Sequence, residues 1–158
     1  MVRSPFDGLK IPRDLVCEFF AFFARFEFAL KEHGYGHAKR GRYAAPDWNR
    51  FAADSAGWLT VDPGSPLAEA IAFLVGQPPQ VQRWPGLHWE AEALRGQHNT
   101  ERALHAACRV RNNLFHGGKH PPHSNPGCGE ALVHAALCLL HHCIDQEPRG
   151  LRWIFEEP

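Results

Sequence analysis

RDLVCEFFAFFARFEFALKEH, residues 13–33, is the stretch whose reading decides the fold class. Leu15, Phe19, Phe22, Phe26 and Leu30 recur at spacings of three and four, the stripe of a helix packed against a core. Phe20, Phe23 and Phe28 widen that stripe. The helix is therefore expected to be covered on more than one side, by core or by a dimer partner. Pro12 and Asp14 suit the helix start and Gly34 suits its stop.

Outward from this helix, Pro and Gly divide the chain. Residues 34–64 read as irregular, with a short helical turn over 47–53 and a tract at 58–61 that can be extended. A second helix is predicted over 66–75, with Ser65 as N-cap and Pro66 as its first residue. The tract 84–89 reads as a loop or an ill-defined turn. A third helix is predicted from 101 to 115 or 116, capped by Asn99 or Thr100 and stopped by Gly117-Gly118. Residues 119–127 form a Pro-, His- and Gly-rich loop, and a fourth helix follows over 129–145. Together these predict a single all-α domain over residues 1–158, a bundle of four to five main helices.

Composition narrows the function classes. The chain has 158 residues, 44% hydrophobic and 22% charged, the balance of one globular domain. Its 11 Phe and 5 Trp exclude disorder as the main state. No apolar run reaches the ~20 residues of a membrane span, and the opening MVRSPFDGLKIPRD has no apolar leader, so a cytoplasmic protein without a membrane partner is expected. Lys and Arg number 17 against 17 Asp and Glu. That balance disfavours a broad nucleic-acid surface and leaves room for a local basic patch. Five Cys with no CxxC spacing do not make a disulfide framework.

The chemistry concentrates in Cys108-Arg-Val-Arg-Asn-Asn-Leu-Phe-His-Gly-Gly-Lys119. His116 is predicted at the negative end of a helix dipole, which favours the imidazolium and suits a general acid near neutral pH. Arg supplies a permanent donor fork for phosphate, and Asn can orient a ring nitrogen or hold a phosphate oxygen. Asn112 and Arg109 lie four and seven residues before His116 and share its helix face. Arg111 lies five before it, roughly 140° away on an ideal helix. It reaches His116 only through its long side chain, by fraying of the last turn, or across a dimer axis.

Arg111-Asn-Asn-Leu-Phe-His116 resembles the R-x4-6-H motif of HEPN-type ribonucleases in its RN-x3-H form. The wider RVRNNLFHGGK resembles one bacterial branch of that superfamily, as do residues 23–31 and 46–52. The resemblance touches positions from about 19 to 140. It implies a helical bundle that dimerises with two motifs facing across a cleft. It also implies RNA cleavage without metal or other cofactor. In that reaction the ribose 2′-hydroxyl attacks the adjacent phosphate and leaves a 2′,3′-cyclic phosphate and a 5′-hydroxyl. Carried over, His116 is the general acid/base, Arg111 neutralises the phosphate, and Asn112 orients His116 or holds a phosphate oxygen. Arg109 satisfies the motif too. Helical phase favours Arg109, the RN-x3-H form favours Arg111; Arg111 takes the primary role, with Arg109, Asn113 and Lys119 as supporting RNA-binding residues. Toxins and defence nucleases are common in the family, so an antitoxin partner is a family-level expectation. The alternative is a catalytically silent dimer that binds nucleotide, RNA or a protein.

Each site residue also has a plainer reading. Asn112 and His116 can cap local carbonyls at a helix end. Glu27, set among Phe, can pair with an Arg of the third helix and hold the site, or with Lys31 one turn on; Arg25 has the same ambiguity. His134, Cys138 and His141 share a helix face near His142 and Cys143, yet a closed zinc site needs a fourth ligand, Cys128 or His123, from another element. Buried Cys and half-exposed His are the default there, so no metal is expected. Lys39-Arg-Gly-Arg42 is a basic loop that can track an RNA backbone or simply be solvated. From 31 to 50 five basic residues face two acidic ones, and an RNA path exists if this cluster meets Arg109, Arg111 and Lys119.

Overall fold

Helix α1 (Arg13–Glu32) does what its Phe pattern demands. Phe19, Phe23, Phe26 and Leu30 are buried. Its end is set by Gly34, whose φ of +82° lets the Tyr35 N–H donate back to the Leu30 carbonyl at 2.9 Å. This is a Schellman stop, with Leu30 and Tyr35 both buried beneath it. The computed structural model describes residues 4, 6–7, 9–116 and 128–157, the side chains of His116 and Cys128 excepted. The expected stop at Gly117-Gly118 and the loop at 119–127 lie outside the described residues.

The chain then forms β1 (Gly36–Lys39), β2 (Tyr43–Pro46), α2 (Trp48–Trp58), α3 (Pro66–Gly76), β3 (Val81–Arg83), β4 (His88–Glu90), α4 (Asn99–His116), α5 (Cys128–Gln146) and α6 (Leu151–Glu156). Caps explain several boundaries. Asp47 Oδ1 accepts from the Arg50 N–H at 3.0 Å, and Ser65 Oγ from the Ala68 N–H at 3.1 Å, each satisfying an orphan donor of a first turn. Pro66 occupies the first turn of α3, where its missing N–H is harmless.

Helix α3 packs on α4 and α5, α2 packs on α4, and α1 packs on α5 and α6. The core runs through these contacts as one cluster, from Phe19 and Phe26 of α1 to Leu104 of α4, Leu139 and Leu140 of α5 and Leu151 of α6. The fold is mostly helical, with two antiparallel two-stranded hairpins among the described residues.

Four expectations are corrected. Residues 34–64 are not irregular: they hold the β1–β2 hairpin, in the register Gly36↔Pro46 to Lys39↔Tyr43, and a full helix α2. The tract 58–61 is extended only after its first residue: Trp58 closes α2, and Leu59, whose N–H donates to Ser55, takes an extended conformation. The tract 84–89 is not a loop throughout: His88 and Trp89 pair with Arg83 and Gln82. Phe28 is not covered by the core of its own chain, being 43% exposed beneath the Arg25 guanidinium. An all-α description therefore gives way to a helical fold with two hairpins, whose short strands satisfy backbone groups that the helices do not reach.

Candidate functional site

Helix α4 presents two different faces. Arg109 and Arg111 are two residues apart, hence about 200° apart around the axis. Arg111 points to α1 and α2. Arg109 and Asn113, one turn apart, point to the legs of the β3–β4 hairpin.

On the first face, Arg111 Nη2 pairs with Glu27 Oε1 of α1, and that oxygen also accepts from the Trp48 indole N–H of α2 at 3.0 Å. Arg111 Nη1 donates to Asn112 Oδ1 at 2.8 Å. The guanidinium carbon lies 5.0 Å from the Phe23 ring centroid. Thus Arg111 is held by a carboxylate on one side and lies over an aromatic ring on another. Its side chain keeps 26% exposure and that of Glu27 23%. The two named acceptors use two of the five guanidinium donors, so an incoming anion can still be bound. Cys108, one turn before Arg111, is a poor nucleophile here: burial pushes its thiol pKa up, against the opposing pull of Arg111.

The second face is structural. Arg109 Nη1 donates to the Glu92 carbonyl at 2.6 Å and Pro79 carbonyl at 3.5 Å, and Nη2 to Glu92 Oε1 at 3.1 Å and the Ala93 carbonyl at 2.8 Å. Burial lowers its pKa while Glu92 opposes that. Asn113 Nδ2 donates to the Gln80 carbonyl at 2.8 Å. The structure therefore brings Arg111, Asn112 and Glu27 together and places Arg109 and Asn113 elsewhere. His116 ends α4. Its side chain, and Lys119, lie outside the described residues.

Glu27 meets Arg111 rather than Lys31. Arg25 turns to the end of α6, donating from Nε to the Phe155 carbonyl at 2.9 Å. Trp48 was not singled out by sequence reasoning. Its signal was the Asp47 cap, which fixes Trp48 as the first residue of a helix beside α1 with an indole N–H in need of an acceptor.

A second polar centre lies where α1 ends. Glu147, buried, accepts from the Arg149 and Leu151 N–H groups at 2.9 and 3.2 Å, from Arg149 Nε at 3.0 Å, and contacts His33 Nε2 at 3.1 Å. Burial alone raises its pKa, but these donors outweigh it and hold the carboxyl below its usual range. Tyr35 donates to Asp54 Oδ2 at 3.1 Å, and burial pushes its pKa up to about 12.

Among the described residues no three His, Cys, Asp or Glu side chains are grouped to hold a metal ion. His134 is exposed beside Glu130, His141 lies on the Phe22 ring, and His142 Nδ1 is 2.8 Å from the Cys138 carbonyl. Cys128, by its side chain, and His123 lie outside the described residues. No helix is long and apolar enough to cross a membrane among the described residues. No family model, curated protein or solved structure matches the chain.

Proposed function

We propose that this protein is a metal-independent endoribonuclease of HEPN type, acting as a homodimer and serving as a toxin or anti-phage effector with an antitoxin partner. One observation carries the reading. Arg111 and Asn112 stand at the C-terminal end of α4, with the guanidinium fixed by Glu27 and Phe23 yet a quarter exposed.

In the proposed reaction a base takes the ribose 2′-proton and the 2′-oxygen attacks phosphorus. The bond from phosphorus to the 5′-oxygen breaks, and that oxygen takes a proton from an acid. His116 supplies the base and acid roles, with two copies supplying two imidazoles. Arg111 stabilises the charge that builds on the phosphoryl oxygens, an effect a pre-fixed guanidinium delivers without reorganising. The outer face of α1 supports the dimer. Cys17, Ala21, Ala24 and Phe28 are exposed at helical spacing, and Phe115, 67% exposed, packs edge-on against Phe20.

A second reading is favoured by the same ion pair. An Arg111 already neutralised by Glu27 suits a silent dimer that binds nucleotide, RNA or a protein without turnover. The test is cleavage of bulk tRNA and a labelled single-stranded RNA in EDTA by wild type, His116→Ala, Arg111→Ala and Arg109→Ala. The ribonuclease reading expects cleavage by wild type that is lost in folded His116→Ala and Arg111→Ala. Cleavage unchanged in His116→Ala, or none at any protein level, overturns it; RNA binding without turnover then selects the second reading.

A further inference from the structure

The β1–β2 hairpin has no place in the chemistry above, yet its charge is one-sided. Residues 33–46 contain no Asp or Glu, but hold Lys39, Arg40 and Arg42 with His33 and His37. Residues 37–43 are all exposed. Among the described residues no ion pair reaches Lys39, Arg40 or Arg42, whereas Arg83, Arg109, Arg111, Arg149 and Arg152 each pair with a carboxylate. The net charge of zero thus hides an uncompensated basic tip.

The pleat gives this tip a face. Gly36 lies against α1, where an added Cβ would meet the Lys31 carbonyl oxygen at 3.2 Å. Alternation then puts His37 and Lys39 on the opposite face, with Tyr43 beside Lys39 as its cross-strand partner. Tyr43 is 55% exposed, and the Arg42 guanidinium lies 5.2 Å from its ring centroid and donates to its hydroxyl at 3.2 Å. An aromatic platform flanked by unpaired cations is the chemistry that holds a single strand: the ring stacks a base and the cations follow the phosphates. An acidic protein surface would use the cations but not the ring.

The tip also leads to the site. Tyr43 is five residues before Trp48, so it lies within about 18 Å of it along the chain. Trp48 shares the Glu27 carboxylate with Arg111. We propose that the β1–β2 hairpin is the arm that grips single-stranded RNA and lays it toward Arg111, with Lys39, Arg40 and Arg42 on the phosphates and Tyr43 under a base. That the strand is RNA rests on the ribonuclease reading.

The test is equilibrium binding of a fluorescent, fully 2′-O-methylated RNA, which cannot be cut by 2′-hydroxyl attack. Wild type, Lys39→Gln/Arg40→Gln/Arg42→Gln and Tyr43→Ala are titrated across a salt series, with unfolding curves confirming the fold. The triple variant should bind at least tenfold more weakly, with a log–log salt slope shallower by about 2, since each charge contributes about 0.7 on a single strand. Tyr43→Ala should weaken binding about five- to 150-fold at an unchanged slope. Wild-type affinity and slope in the triple variant overturn the proposal, as does no binding by wild type. So does displacement of the RNA by polyglutamate, charge for charge, with Tyr43→Ala neutral; that result assigns the tip to an acidic protein. Hairpin-dependent binding without cleavage of ordinary RNA leaves the arm standing and removes the ribonuclease; cleavage at unaltered KM in the triple variant does the reverse.

Discussion

Removing the charge of Glu27 tests whether the Arg111 contact is energetic or incidental. Unit charges about 4 Å apart attract by about 4 kcal/mol at an effective dielectric of about 20. Desolvation and side-chain ordering cancel more than half of that, because both side chains retain about a quarter of their exposure, 26% and 23%. About 1–2 kcal/mol of net coupling remains. Glu27→Gln is the clean perturbation, since its amide oxygen still accepts from the Trp48 indole. Urea unfolding of wild type, Glu27→Gln, Arg111→Met and the double variant closes a cycle. Each single change is expected to cost about 2 kcal/mol, and the double less than their sum by about 1–2 kcal/mol. Additivity within about 0.3 kcal/mol at a common m-value refutes the reasoning and leaves Arg111 held by Phe23 and Asn112.

Two further outcomes follow from the other polar centres. Arg109→Ala strips the donor from the Glu92 and Ala93 carbonyls and the Glu92 carboxylate, so it should lower stability by about 2–4 kcal/mol and expose residues 79–95 to limited proteolysis; an unchanged digestion pattern refutes that role. Glu147 has a folded pKa below its ordinary value of 4.5, so its stabilisation is complete above that pH and fades as pH falls through the folded value. Glu147→Gln should therefore cost about 2–4 kcal/mol at neutral pH, with a gap from wild type that closes below about pH 4.5; a gap independent of pH removes Glu147 as the acid-sensitive group.

Periodicity made the helices legible where it was strong. The Phe stripe, the Ser65-Pro66 start and the Gly34 stop sit within a residue or two of the observed boundaries. The hairpins were not legible because β1 is Gly-His-Ala-Lys, without a β-branched or aromatic residue, and its turn uses Arg40 and Gly41, both at positive φ, rather than the Asn-Gly pair that announces such a turn. Helix α6 was missed although Leu151, Ile154 and Phe155 recur at helical spacing after Gly150; six residues are too few for a pattern to stand out. At the site, Glu27 among aromatic residues signalled a buried partner, and helix phase separated Arg109 from Arg111. What each met across the fold depended on the packing of α1 and the β3–β4 legs, which no local pattern encodes.

Those legs have a mechanical consequence. Arg109 and Asn113 grip the carbonyls of Pro79, Gln80, Glu92 and Ala93, on both sides of the β3–β4 hairpin. The hairpin tip carries Trp84 and Leu87, 79% and 62% exposed. The base of the hairpin is thus fixed to the same helix that bears Arg111 on its far side, while the tip stands free of it. Helix α4 is thereby clamped on two faces at once, by the hairpin legs through Arg109 and Asn113 and by α1 through Arg111.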